Sequence, residues 1–249
     1  MRQSNTYIII FTLITTFFVG GTLAVTSILL GPRQALSIEY DTKSQILLAV
    51  MELKETDDVL GIYDKRIKSL VVDSEGKEVT TDEKGQPIVA EKVNVAKNFK
   101  LAPEERLLPV FKFMNENDST QIDAYILPLY GNGLWDRIWG FIALDNNLAV
   151  IEGISFGHKA ETPGLGARIS DDPVISERYK GKKILDDQGN IVSVSMVKGE
   201  KGDPLDEHHV DGMSGATMTG NGVNQMLKSY LECYESYFDK VKSQQVAGL

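Results

Sequence analysis

Residues 211–220 read DGMSGATMTG, three glycines, two threonines and a serine directly ahead of a long amphipathic run. Small hydroxyl residues at a helix entrance can serve two purposes. The bland one is capping, in which one side-chain oxygen, from Thr219 or Thr217, accepts from a first-turn N–H. Capping needs one hydroxyl; it does not need Asp211, Ser214, Gly215, Ala216 and Thr217 in that order. The sharper one is anion binding, because unsatisfied N–H groups and the positive end of the helix dipole suit a phosphate. The stretch is not a P-loop, since that motif's lysine and spacing are missing. A second candidate is HKAETPGLGARI, residues 158–169, where Pro163, Gly164 and Gly166 make a tight turn that lets backbone approach a ligand. On composition alone it also reads as a plain surface turn.

Other chemistry-bearing residues are sparse. Cys233 is the only cysteine, so no disulfide forms within the chain and no thiolate cluster holds a metal. Inside a helical apolar pattern it reads as a small core residue. His208 and His209 read as solvated loop residues, because two adjacent histidines do not converge on one metal without further ligands. No metal site is expected. A formal net charge of −9 without a long basic run argues against a nucleic-acid partner. No GxGxxG fingerprint follows a strand, so no dinucleotide site is expected.

The elements that must position the two loops begin with Tyr7 to Leu30, an uncharged apolar run. At ~1.5 Å rise per residue it exceeds the ~30 Å hydrocarbon core, and it is too long for a cleaved signal peptide. Its threonines can bond back to their own helix carbonyls. The run therefore predicts a retained single-pass anchor in membrane lipid. Arg2 and Arg33 flank it almost symmetrically, so charge gives orientation only a weak vote. No charge lies within the span, so ion conduction by this chain is not expected. Pro32 predicts the end of the helix.

Residues 41–68 read as helical around a polar break at Glu55 to Asp58, with Ile46, Leu47, Val50 and Leu53 on one face and Val59, Leu60, Tyr63 and Ile67 after the break. SLVVDSEGKEV and TTDEKGQPIVAEKV read as hairpins; LLPVFKFMN and IDAYILPLYG read as strands. Alternation over 131–156 predicts two strands about a turn at Asp145 to Asn147, with Trp135, Arg137, Trp139, Phe141 and Ala143 on one side and Ile138 and Ile142 on the other. Apolar groups on both faces place this pair centrally in a sheet. A further hairpin turns at Asp187 to Asn190. One last helix runs from near Thr219 to about Lys242, burying Val223, Met226, Leu227, Tyr230, Leu231, Tyr234, Phe238 and Val241. The fold class is α+β: an N-terminal transmembrane helix, then one domain with a twisted antiparallel sheet and flanking helices. The expected divisions are a stub at 1–6, the span at 7–30, a helical and hairpin extension at 31–125 and a core at 126–249.

SGAT at 214–217, followed by Met218 and Thr219 and preceded by Asp211, resembles the flavinylation motif of the FMN-binding domain family. ETPGLG at 161–166, after His158, is similar to a second hallmark of that family. The anchor and GNGLWDRIWGFIALD at 131–145 resemble the C subunits of Na⁺-translocating NADH:quinone reductases; the likeness covers most of the chain and is weakest over 70–105. The Rnf-type electron-transport subunit shares both motifs and stands as the alternative. A non-catalytic membrane-anchored binding domain is the other.

The resemblance implies an electron-transfer subunit, not catalytic alone, with FMN joined as a phosphoester to Thr217. It implies cofactor contacts from Glu161, Thr162, Gly164, Leu165, Gly166, Ser214, Gly215 and Ala216, with Thr162 or nearby N–H groups at the isoalloxazine edge. Trp135 is a stacking candidate, with packing on a sheet face as its alternative. Asp211, Ser214, Gly215, Ala216 and Thr217 would be read by a separate flavin transferase that takes FMN from FAD with Mg²⁺. The other subunits of the complex are the implied partners, NADH binding and Na⁺ transport being theirs. The implied location is the bacterial inner membrane with the soluble domain on the periplasmic side.

Overall fold

A computed structural model describes residues 4–82, 84–202 and 205–248. The chain divides between Thr42 and Lys43 into two compact units. Helix α1 spans Asn5–Leu48 and is the one described helix long and apolar enough to cross a bilayer. The hydroxyls of Thr12, Thr15, Thr22 and Thr26 each donate to the carbonyl four residues back at 2.8 Å, so these polar groups are already satisfied within the helix. Of the expected stub, residues 1–3 lie outside the described residues, and Asn5 and Thr6 are helical. Pro32 does not end the helix as expected but lies inside it. A proline removes one N–H and crowds one carbonyl, a local cost that helical neighbours on both sides can absorb.

In the second unit, α2 spans Val59–Arg66, β1 Ile67–Val72, α3 Val95–Asn98, β2 Leu108–Met114, β3 Ile122–Asn132, β4 Arg137–Asp145 and β5 Ile151–His158. The short helices α4 (Arg168–Asp171) and α5 (Pro173–Glu177) follow, then β6 (Ser195–Met196), β7 (His209–Val210), α6 (Thr217–Cys233) and α7 (Glu235–Ala247). The first five strands form an antiparallel sheet in sequential order, and β6 and β7 form a small parallel pair. The fold is α+β, as expected.

Strand alternation sorts the sheet into two cores. Tyr125, Leu127 and Leu129 of β3 and Ile138, Ile142 and Leu144 of β4 pack with the apolar stripe of α6 and α7. Ala124, Ile126, Phe141 and Ala143 face the other way, onto Ile46, Leu47, Val59 and Tyr63. There the Trp139 indole donates to Gln45 at 3.1 Å, and the Ser155 hydroxyl donates to the Gln45 carbonyl at 2.9 Å.

Three other expectations change. The helical reading of 41–68 breaks after Leu48, and Ile67 opens β1 opposite Phe113, because a β-branched residue pairs well there and gains burial. The β4–β5 pair is not central: β5 is the sheet edge. Its outer edge is paired at the start of the strand by the following segment, where Gly181 and Lys182 exchange backbone hydrogen bonds with Ile151. The last helix starts at Thr217 and is interrupted at Tyr234, whose buried hydroxyl donates to the Pro109 carbonyl at 2.7 Å.

The three expected hairpin turns share one device. Asp73, Asp82 and Asp186 each accept two backbone N–H groups through Oδ1, and a left-handed glycine follows three residues later.

Candidate functional site

The first turn of α6 follows Ala216, and no side chain caps it. Neither threonine plays the capping role open to it. Thr217 is the first helical residue and is exposed, whereas Thr219 is buried and turned inward. First-turn N–H groups without a side-chain cap remain available to an anion. Gly215 has φ +78°, and a Cβ there would sit 2.9 Å from a methyl of Leu165. Glycine thus serves both a left-handed turn and the close approach of the two motif loops.

The ETPGLG loop is knitted from within. Thr162 offers its carbonyl to the N–H groups of Leu165 and Ala167, and Gly164 has φ +74°. The Glu161 N–H donates to His158 Nδ1 at 3.2 Å, which makes Nδ1 the acceptor nitrogen of that ring. Across the site, the Trp135 backbone N–H donates to Glu161 Oε1 at 2.9 Å. The Thr219 hydroxyl donates to Glu161 Oε2 at 2.7 Å. A Cβ at Gly133 or Gly166 would collide with the Glu161 carboxylate, so both glycines are shaped around it.

The expected place of Glu161 is along a flavin. The fold instead buries its carboxylate, 4% exposed, with both oxygens engaged, because a carboxylate withdrawn from water must be paired. It positions both loops and the turn ahead of β4. Trp135 does not pack on a sheet face. It lies between β3 and β4 with its side chain out, 69% exposed, and its indole N–H donates to Thr162 Oγ1 at 3.1 Å. Leu165, close to Gly215, and Met218, next to Thr217 in sequence, are likewise exposed and give the site an apolar rim; Leu134, beside Trp135 in sequence, is exposed too.

Around the threonine, a recess of about 30 Å³ is lined by Thr217, Ala216, Met213, Gly212 and residues 196–199. Ser214 is exposed. Asp211 is half-buried; one oxygen accepts from Gly202 N at 2.6 Å, and the other is buried without a partner among the described residues.

His208 and His209 stay partly exposed, and each ring makes a local contact. His208 Nδ1 meets the Lys183 carbonyl at 2.9 Å, and His209, in β7, meets Asp206 at 2.7 Å. Among the described residues no group of three or more His, Cys, Asp or Glu could hold a metal. Cys233 is half-buried at the end of α6, and desolvation pushes its thiol up despite an Arg106 donor at 3.4 Å.

Sequence reasoning missed Gly133, and considered Thr219 only as a cap. It also missed Gly222, where a Cβ would collide with the Asn132 carbonyl. The glycine signal was present but common, and the partners lie far away in the chain.

A family model described as the FMN-binding domain matches residues 133–232, a span that contains both motif loops. The chain is 32% identical over 239 residues to the C subunit of the Na(+)-translocating NADH-quinone reductase of Pseudomonas aeruginosa, covering 88% of this chain and 87% of that one. It is 30% identical over 213 residues to the corresponding protein of Haemophilus ducreyi, covering 83% and 81%. The solved structure of the C subunit from Parabacteroides distasonis superposes with a TM-score of 0.71 at 34% identity, covering 84% of this chain and 96% of that chain. Likeness over most of both sequences, the shared fold and the paired loops together mean that this chain belongs to the C-subunit family of the Na⁺-translocating NADH-quinone reductases.

Proposed function

We propose that the chain is the electron-carrying subunit of a Na⁺-translocating NADH-quinone reductase and holds FMN as a phosphoester on Thr217. Membership of the C-subunit family and the match to the FMN-binding domain support the subunit role and the cofactor. One observation carries the attachment. Of two threonines in the same helical turn, Thr219 is buried with its hydroxyl engaged, while Thr217 stands exposed at an uncapped helix entrance.

The residues present fit the group. The recess beside Thr217 is too small for a three-ring system, and the exposed Trp135, Leu165 and Met218 offer apolar surface beside it. Gly215 and Ala216 leave the hydroxyl unobstructed. First-turn N–H groups and the helix dipole stabilise the remaining phosphate charge. Glu161 holds the two loops together from beneath, and Gly164, Leu165 and Gly166 shape the loop that faces SGAT. When bound, FMN supplies the electron-carrying chemistry.

Attachment requires a flavin transferase as partner. The Thr217 oxygen forms a bond to the FMN-side phosphorus of FAD, the bond to AMP breaks, and the hydroxyl proton leaves with AMP or solvent. Asp211 and the SGAT residues form the segment that the transferase reads. Helix α1 anchors the chain in membrane lipid, with the folded domain on the periplasmic side and the other subunits of the complex as partners.

The test is an intact-mass spectrum after co-expression with a flavin transferase. We expect a gain of one FMN less one water, absent from Thr217→Ala. An unmodified wild type, with the transferase active on a control acceptor, would sink the attachment.

A further inference from the structure

Two arginines and a glutamate make a second connection between the motif loops. Arg178 directly follows α5, and its Nη1 donates to the carbonyls of Asp211 at 3.2 Å and Gly212 at 2.8 Å. Its Nη2 pairs with Glu200. The same carboxylate accepts from Arg168 at 3.1 and 3.2 Å. Arg168 opens α4, two residues beyond Gly166 of ETPGLG, and is steadied by Asp172 at 2.8 Å. A continuous relay therefore runs from one motif, through Arg168, Glu200 and Arg178, to the backbone just ahead of the other.

The relay also sets the wall around Thr217. Lys198 and Gly199, next to Glu200, line the recess that Thr217 shares. Opposite them, a Cβ on Gly212 would collide with the Val197 carbonyl. Asp211 closes the intervening loop through Gly202 N at 2.6 Å. The side chains of Arg168, Arg178 and Glu200 keep 17–28% of their exposure. Partly exposed ion pairs add little to global stability. A guanidinium that grips two carbonyls and a carboxylate instead fixes the direction of the backbone it holds.

We propose that Arg178 and Glu200 are positioning residues for flavin attachment, holding Asp211 to Thr217 in the pose that the transferase accepts. This rests on the Thr217 reading above. Glu200→Gln keeps the size of the side chain and removes the charge that both arginines share. The segment then spends part of its time in other poses. An acceptor that is competent only part of the time shows a raised KM at unchanged kcat.

The test uses the full chain in detergent with purified flavin transferase, FAD and Mg²⁺, alongside hydrogen exchange of residues 211–216. For Glu200→Gln we expect KM for the acceptor to rise roughly three- to tenfold, kcat to hold, and exchange to quicken by a similar factor. Arg178→Gln shifts both further. Arg178→Lys fails to restore them, because an ammonium cannot span two carbonyls and a carboxylate. Unchanged KM and exchange in both Gln variants, with the wild type labelled on Thr217, would overturn the relay and leave the attachment standing. A wild type that takes no FMN overturns the attachment and, with it, this role for the relay.

Discussion

The Thr219 hydroxyl donates to Glu161 Oε2 at 2.7 Å, a buried bond between residues 58 positions apart. It joins the inward face of α6 to the first residue of ETPGLG, so the helix that presents Thr217 and the loop opposite are fixed as one piece. Thr219→Val keeps the shape and strands a buried carboxylate oxygen. We expect a loss of about 2 kcal/mol, read as a fall in Tm of roughly 4–8 °C for a domain of this size. A change within experimental error would mean that the bond does not hold the loops.

Thr217 lies in the same helix and should behave oppositely. It is exposed and caps nothing. Thr217→Ala should change stability by less than about 0.5 kcal/mol, where loss of a true N-cap would cost about 1 kcal/mol. Ser214→Ala, also at an exposed position, should reduce bound flavin far less than Thr217→Ala. Flavin absorbance of denatured, washed protein separates the two, and the reverse order would place the attachment atom on Ser214.

Glycines around Glu161 supply a contrast in kind. A Cβ on Gly166 would meet both Glu161 Oε2 and the Thr219 hydroxyl, whereas Gly189 has φ +87° and open space around it. Gly189→Ala should cost about 1 kcal/mol of backbone strain and leave flavin loading intact. Gly166→Ala must displace the carboxylate and should impair both stability and loading. Similar loading in the two variants would show that the carboxylate can move without consequence.

Arg168, and then Arg178, hold the Glu200 carboxyl down to about 2. The unfolded chain titrates near the ordinary glutamate value of ~4.3. A depressed folded value adds stability above the unfolded pKa, and that increment is lost as pH falls through the folded one. The Tm advantage of wild type over Glu200→Gln, small because the pairs are partly exposed, should be full at neutral pH and shrink between about pH 4.5 and about pH 2. An advantage that grew on acidification would contradict the ion relay.

Trp135 is a probe of the rim. With its side chain out in solvent, Trp135→Ala should leave Tm nearly unchanged. If flavin packs there, attachment should quench the Trp135 emission. Undiminished emission from a Trp139→Phe background would place the ring elsewhere.

Much of this architecture was legible because it rests on local order. The apolar run from Tyr7, the alternation through β3 and β4, the stripe of α6 and α7 and the Asp-to-glycine turns all obey periods or spacings carried within a few residues. The two motifs could likewise be read in order, since each is a short run of fixed types. What one residue contributes locally cannot reveal a partner distant in the chain. That Glu161 points inward, that Thr219 bonds it rather than capping, and that Trp135 leaves the sheet depend on which strands and helices come together. The edge position of β5, the break at Tyr234 and the relay through Glu200 have the same origin. The sequence by itself determined the apolar span, the main sheet strands, the Asp-to-glycine turns and the stripe of the last helices, and which threonines could carry a phosphate. Only tertiary packing decided that Thr219 is buried and engaged while Thr217 stands exposed, because a hydroxyl's availability is set by whether a distant carboxylate already holds it.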